Sequence, residues 1–202
     1  MVIITPPFSE ADHDIIKEVL IRQQGTIIYP TETFYALGCI ATSSIAVKKI
    51  YQLKNRDTSL PLLVLVNNWS MLENHATHLN NNQKKLLQKY WPGPLTSVLK
   101  TNEKLAKELN YSGNSIGIRM TSSKIAQDLI QIINQPIVGT SANRSKEKAI
   151  SDFKSAITVF GKKVDIYIDG GNTPGGKAST LIDMTDAENF ITIRQGTIKA
   201  VI

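Results

Sequence analysis

The chain has 202 residues, 42% of them hydrophobic, enough for a well-buried core, and residues 1–202 are expected to form a single domain. It contains no run of eighteen apolar residues, and the start, Met1-Val-Ile-Ile-Thr-Pro-Pro7, has no basic segment leading into a long apolar one, so a soluble, cytoplasmic protein without a membrane partner is expected. The single cysteine, Cys39, excludes an internal disulfide framework and reads as a small buried hydrophobe, while a formal charge of +6 and a pI near 9.3 favour anionic partners such as nucleotides, phosphates or RNA.

Helical patterns are expected near 9–24, 43–54, 80–91, 122–134 and 151–161, and strand patterns near 26–30, 61–66, 95–100, 115–119, 136–139, 166–169, 179–184 and 190–195. The first helix opens at Ser9 with Asp12 in its first turn and carries the stripe Ile15, Ile16, Val19 and Leu20. The strand Thr26-Ile-Ile-Tyr29 runs into Pro-Thr-Glu-Thr33, where a proline fixes the exit, two hydroxyls face a polar ligand, and Gly38 allows a close backbone approach. The second helix ends at Lys54-Asn-Arg56. Two cations so spaced suit a polyphosphate, or else complement the dipole of an exposed helix end.

Further along, Trp91-Pro-Gly-Pro94 separates the third helix from a strand, its aromatic packing the turn. Alternation in Ser115-Ile-Gly-Ile-Arg119 puts Ser115, Gly117 and Arg119 on one face; the arginine either clamps a carboxylate or lies on a solvated edge. Pro136-Ile-Val-Gly139 opens into Thr140-Ser-Ala-Asn143, which reads as a ligand loop or as a turn that caps the next segment. Gly171 to Ala178 nearly matches a phosphate loop, but Ala178 stands where a magnesium-binding hydroxyl is required and a strand pattern follows where a helix is needed. His13, His75 and His78 read as surface histidines and Asp183 with Asp186 as a turn, so no dedicated metal site is expected. Strand patterns outnumber helical ones, which favours an α/β fold with one twisted mixed sheet over a purely parallel one.

In this order, the Pro-Thr-Glu-Thr, Lys-x-Arg, Trp-Pro-Gly-Pro-Leu-Thr, Ile-Gly-Ile-Arg-Met, Ser-Ala-Asn and Ser-Thr-Leu-Ile-Asp segments resemble the YrdC-like family, threonylcarbamoyl-AMP synthases that act in tRNA modification. The resemblance covers nearly the whole chain. It implies a single-domain α/β fold enclosing a basic cavity, and condensation of L-threonine, bicarbonate and ATP, with Mg2+ accompanying the ATP, into threonylcarbamoyl-AMP and pyrophosphate. By the same resemblance Thr33, Arg119 and Thr180 surround threonine, Arg119 pairing its carboxylate. Lys54 and Arg56 hold the triphosphate as the catalytic cations, and Ser115, Ser141, Asn143 and Arg194 bind the nucleotide. Short members of the family imply partner proteins that pass the product to tRNA, and tRNA or double-stranded RNA is a further implied partner. The chain departs from the family pattern at Ala36, Asp57, Leu60, Leu65 and Lys146, the last standing where glycine is frequent. Two other readings of the same segments are a sister branch of the fold with a different activity and a non-catalytic RNA-binding module.

Overall fold

The computed structural model describes residues 1–109 and 114–200. Helix α1 (Glu10–Lys17) begins where the sequence places it. The Ser9 hydroxyl accepts from the Asp12 amide at 3.3 Å and the Asp12 carboxylate accepts from the Ser9 amide at 2.9 Å, a reciprocal cap that satisfies two otherwise orphaned donors. The rest of the expected first helix, Glu18–Arg22, winds more loosely as a π-type turn. Helix α2 (Ser44–Lys54) is capped by Ser43 and stops at Asn55, which takes the left-handed conformation at φ 48°. Three further expected helices are present as α4 (Asn81–Tyr90), α5 (Lys124–Ile133) and α6 (Phe153–Phe160), and a short α3 (Trp69–His75), capped by Asn68, was not expected.

The strands form two mixed sheets, which corrects the expectation of one. The five-stranded sheet runs β1 (Val2–Ile4), β9 (Ile166–Ile168), β2 (Ile27–Pro30), β3 (Tyr35–Gly38) and β8 (Thr140–Ser141). The six-stranded sheet runs β11 (Ile191–Arg194), β10 (Thr180–Asp183), β5 (Leu95–Lys100), β6 (Ser115–Met120), β4 (Leu63–Val66) and β7 (Ile137–Val138). The chain leaves one sheet and joins the other at Gly139, between β7 and β8. A Cβ there would lie 2.7 Å from the Leu65 side chain, so no other residue fits at the crossing unless that side chain shifts. Gly38 serves a related purpose: a Cβ at that position would come within 2.2 Å of the Val138 carbonyl oxygen, where the two sheets meet.

Side chains from both sheets make one continuous core that includes Tyr29, Leu37, Leu65, Ile118, Leu129 and Ile166. Cys39 belongs to this core as expected, and its burial raises the thiol well above its ordinary range. Trp91 also packs as expected: its indole donates to the Leu95 carbonyl at 2.7 Å and its ring lies 6.2 Å from that of Trp69. Among the described residues no helix is long and apolar enough to cross a membrane.

Candidate active site

Between the sheets lies a cavity of about 330 Å³, within the range of small-molecule sites. One wall comes from β3, β8 and the Thr31–Phe34 turn; the other comes from β4, β5, β6, β10 and β11. Arg56, Arg119 and Arg194 all reach it, and no acid is among the described residues that line it. Three guanidinium groups converging on one void without a lining carboxylate create a strong preference for an anion with several oxygens.

Arg119 is 3% exposed on β6, which lies between β5 and β4, so the solvated-edge reading of this arginine is overturned. Its Nε stands 3.5 Å from Oε1 of Glu32, and both atoms are buried without a hydrogen-bond partner. The other Glu32 oxygen accepts from the Thr121 hydroxyl at 2.6 Å. Glu32, which sequence reasoning left without a role, therefore supports Arg119 from outside the cavity lining. Arg194 donates from Nε and a terminal nitrogen to the Ser179 carbonyl at 3.2 and 3.0 Å. Burial first, and the Arg119 charge second, pull its guanidinium below its ordinary pKa.

Thr33 lines the cavity, with its Oγ1 3.1 Å from that of Thr31. Thr31 spends its proton on the Phe34 carbonyl at 2.7 Å, so Thr33 is the donor in that pair and can turn its hydroxyl to a ligand at the cost of one neutral hydrogen bond. Thr180 is placed differently from expectation. Its hydroxyl donates to the Ile198 carbonyl and accepts from the Gly196 amide at 3.1 Å, tying down the C-terminal segment, and the cavity-facing hydroxyl belongs to Ser179, 2.8 Å from Thr96 Oγ1. Ser115 sits at the start of β6, on the same face as Gly117 and Arg119; those two line the cavity and Ser115 does not.

Lys54 and Arg56 do not point together. The left-handed turn at Asn55 sends Arg56 to the cavity, where it donates to the carbonyls of Leu60 and Pro61 at 3.1 Å each. Lys54 goes beneath the Ser141–Asn143 loop. Its ammonium is within 2.5 Å of the Ser141 carbonyl, 2.7 Å of the Asn143 carbonyl and 3.2 Å of Asn143 Oδ1. Burial, and secondarily the charge of Arg56, lower its pKa to about 7. Asn143 also stays out of the cavity lining, its amide donating to the carbonyls of Arg144 at 3.0 Å and Glu147 at 2.6 Å; Ser141 alone of this loop's expected ligands lines it. A second cavity of about 750 Å³ is bordered by Lys54 and shares the loop through Arg144 and Ser145, but it mixes Lys49, Arg144 and Lys163 with Glu147 and Asp165.

Leu60 lines the cavity, whereas Leu65 is buried under Gly139. The segment after Lys177 is strand β10, as the rejection of a phosphate loop requires. Asp183 and Asp186 accept from the backbone of Thr185 and Glu188, both at 2.9 Å, and so cap turns. His75 corrects the surface reading: its Nδ1 is buried without a hydrogen-bond partner, and burial lowers its pKa.

The Sua5/YciO/YrdC family model, described under telomere recombination, matches residues 19–196. Threonylcarbamoyl-AMP synthase of Pyrococcus abyssi is 34% identical over 166 residues, which make up 82% of this chain and 49% of that protein, so the chain spans about half of this relative's length. The synthase of Psychromonas ingrahamii is 32% identical over 171 residues, 80% of this chain and 88% of that protein. In structure, P. abyssi Sua5 complexed with L-threonine aligns with a TM-score of 0.88 at 31% identity, covering 96% of this chain and 57% of that one. E. coli YciO aligns with a TM-score of 0.83 at 28% identity, covering 96% of this chain and 94% of that one. With a match that runs almost from end to end and a cavity built from the same ordered segments, the chain belongs to the Sua5/YciO/YrdC family.

Proposed function

We propose that the chain is an L-threonylcarbamoyladenylate synthase, a nucleotidyltransferase that joins L-threonine, bicarbonate and ATP into threonylcarbamoyl-AMP with release of pyrophosphate. The observation that carries this reading is the acid-free cavity onto which Arg56, Arg119 and Arg194 converge, beside the hydroxyls of Thr33, Ser141 and Ser179. ATP and threonine both bring oxyanions, and the tetravalent charge of the triphosphate calls for more than one guanidinium. The relatives named synthase and the threonine-bound Sua5 support the same reading.

In this scheme Arg119, steadied by Glu32, pairs the threonine carboxylate, and Thr33 donates to it. The α-amino group has a reference pKa of about 8, so its neutral form is accessible at neutral pH without a strong dedicated base. Its lone pair attacks the carbon of carbon dioxide and the nitrogen gives up a proton to solvent, leaving a carbamate; from bicarbonate the same carbamate forms with loss of water. A carbamate oxygen then attacks the α-phosphorus, the bond to the bridging oxygen breaks, and pyrophosphate leaves with its charge offset by Arg56 and Arg194. Catalysis is thus positioning and charge stabilisation, the work that fixed guanidinium and hydroxyl groups can do. Magnesium would accompany the ATP; the described lining offers no carboxylate for it, and no step is assigned to it. The product would pass to partner proteins that modify tRNA in the cytoplasm, with residues 1–202 acting as one domain.

The test is pyrophosphate release from ATP and bicarbonate with L-threonine, with L-serine and with no amino acid. Release that depends on threonine supports the synthase, and release that is equal in all three rejects it. A second reading, another reaction at the same cavity, is favoured by the coverage of E. coli YciO and by Leu60 in the lining; threonine-independent turnover would support it.

A further inference from the structure

Of the two sequence-expected catalytic cations, Lys54 does not reach the arginine-lined cavity and borders the second one instead. It is 1% exposed, and all three of its ammonium protons have acceptors on two residues, Ser141 and Asn143. The same loop is held from other directions. The Ser145 amide donates to the Lys54 carbonyl at 2.9 Å, the Ser141 hydroxyl donates to Asn143 Oδ1 at 2.5 Å, and the Asn143 amide spans the carbonyls of Arg144 and Glu147. Lys54, at the end of α2, is therefore the hub of a clamp on residues 141–147, and only Ser141 and its neighbour Thr140 carry that order into the cavity.

We infer that Lys54 is a positioning residue, acting on the nucleotide through the Ser141–Asn143 loop and not by touching a phosphate, an inference that rests on the synthase reading for its catalytic consequence. The geometry requires an ammonium in particular. Three converging oxygens match three tetrahedrally arranged protons, whereas a guanidinium presents its donors in a flat, wider fork. Removing the ammonium leaves three oxygens of Ser141 and Asn143 without their common donor, and the loop loses the single orientation that holds Ser141. A phosphate-contacting lysine would behave otherwise: its replacement would leave hydrogen exchange across residues 141–147 unchanged in the absence of substrates.

The experiment is a double-mutant cycle on the full chain with Lys54→Met and Ser141→Ala, with Lys54→Arg alongside and thermal unfolding to establish that each variant is folded. Two readouts are taken: threonine-dependent pyrophosphate release, and hydrogen exchange of amides 141–147 without substrates. Each single substitution is expected to lower turnover about 100-fold, the scale of losing one preorganised donor, and the double variant to fall no more than about threefold further because both act through one element. Lys54→Arg is expected to behave like Lys54→Met, and exchange across 141–147 to rise at least about tenfold in both, as local opening becomes easier. Additive losses, rescue by arginine or unchanged loop exchange would each overturn the inference. If Lys54→Met does not fold, acylation of the native chain's amines decides: Lys54 should remain unmodified with and without ATP, and a Lys54 that reacts until ATP shields it overturns the inference. The exchange readout needs no turnover, so a native chain inactive with threonine would reject the synthase reading while the clamp is still scored.

Discussion

Replacing Glu32 by glutamine keeps the shape of the side chain and an acceptor for the Thr121 hydroxyl but removes the counter-charge of Arg119. At the observed 3.5 Å separation, an effective dielectric of about 20 gives roughly 5 kcal/mol of attraction between the two charges. Part of this is balanced by the cost of burying the carboxylate, which glutamine does not incur, so the net loss of stability should be about 3 kcal/mol, the low end for breaking a buried pair. For a chain of this size that is a fall in melting temperature of roughly 6–12 °C. The same change makes the cavity more positive, so an anionic ligand should regain part of the loss. The shift in melting temperature on adding ATP or inorganic pyrophosphate should be larger in Glu32→Gln than in the native chain. Differential scanning fluorimetry with and without these anions measures both effects. A variant as stable as the native chain, or one with a smaller anion-induced shift, would refute the view that Glu32 neutralises Arg119 within an otherwise acid-free site.

Arg56→Ala should reduce threonine-dependent pyrophosphate release by about 3 kcal/mol of transition-state stabilisation, near 100-fold, while its two bonds to carbonyls cost only about 1–2 kcal/mol in an unfolding titration. Lys146 occupies the left-handed region at φ 70°, so Lys146→Gly should raise stability by about 0.5–1 kcal/mol in denaturant, the strain relieved exceeding the added freedom of the unfolded chain.

Much of the fold was legible because its signals are local. The Ser9 cap, the apolar stripe of α1, the end of α2 and the alternation of β6 all depend on residues a few positions apart. What was not legible depends on distant segments. The division into two sheets turns on Gly139, whose need for glycine comes from Leu65, far away in the chain. Glu32 had no visible role since Arg119 and Thr121 are brought to it only by the fold. Ser179 and Thr180 are adjacent hydroxyl residues at the start of a strand, where alternation assigns them opposite faces without saying which face is the cavity. The spacing of Lys54 and Arg56 suggested one cleft, and the left-handed Asn55 between them sends the two cations apart. Helix α3 escaped notice because seven residues provide too short a period, although its Asn68 cap was a readable sign.

The arginine-lined cavity is proposed to join threonine, bicarbonate and the adenylate of ATP. The most direct measurement is mass spectrometry of the products formed by the purified chain from ATP, L-threonine and carbon-13 bicarbonate. Threonylcarbamoyl-AMP carrying the labelled carbon is expected, in step with pyrophosphate release and lost when threonine is omitted. AMP and pyrophosphate without a labelled adenylate, or no turnover by protein shown to be folded, would contradict the proposal.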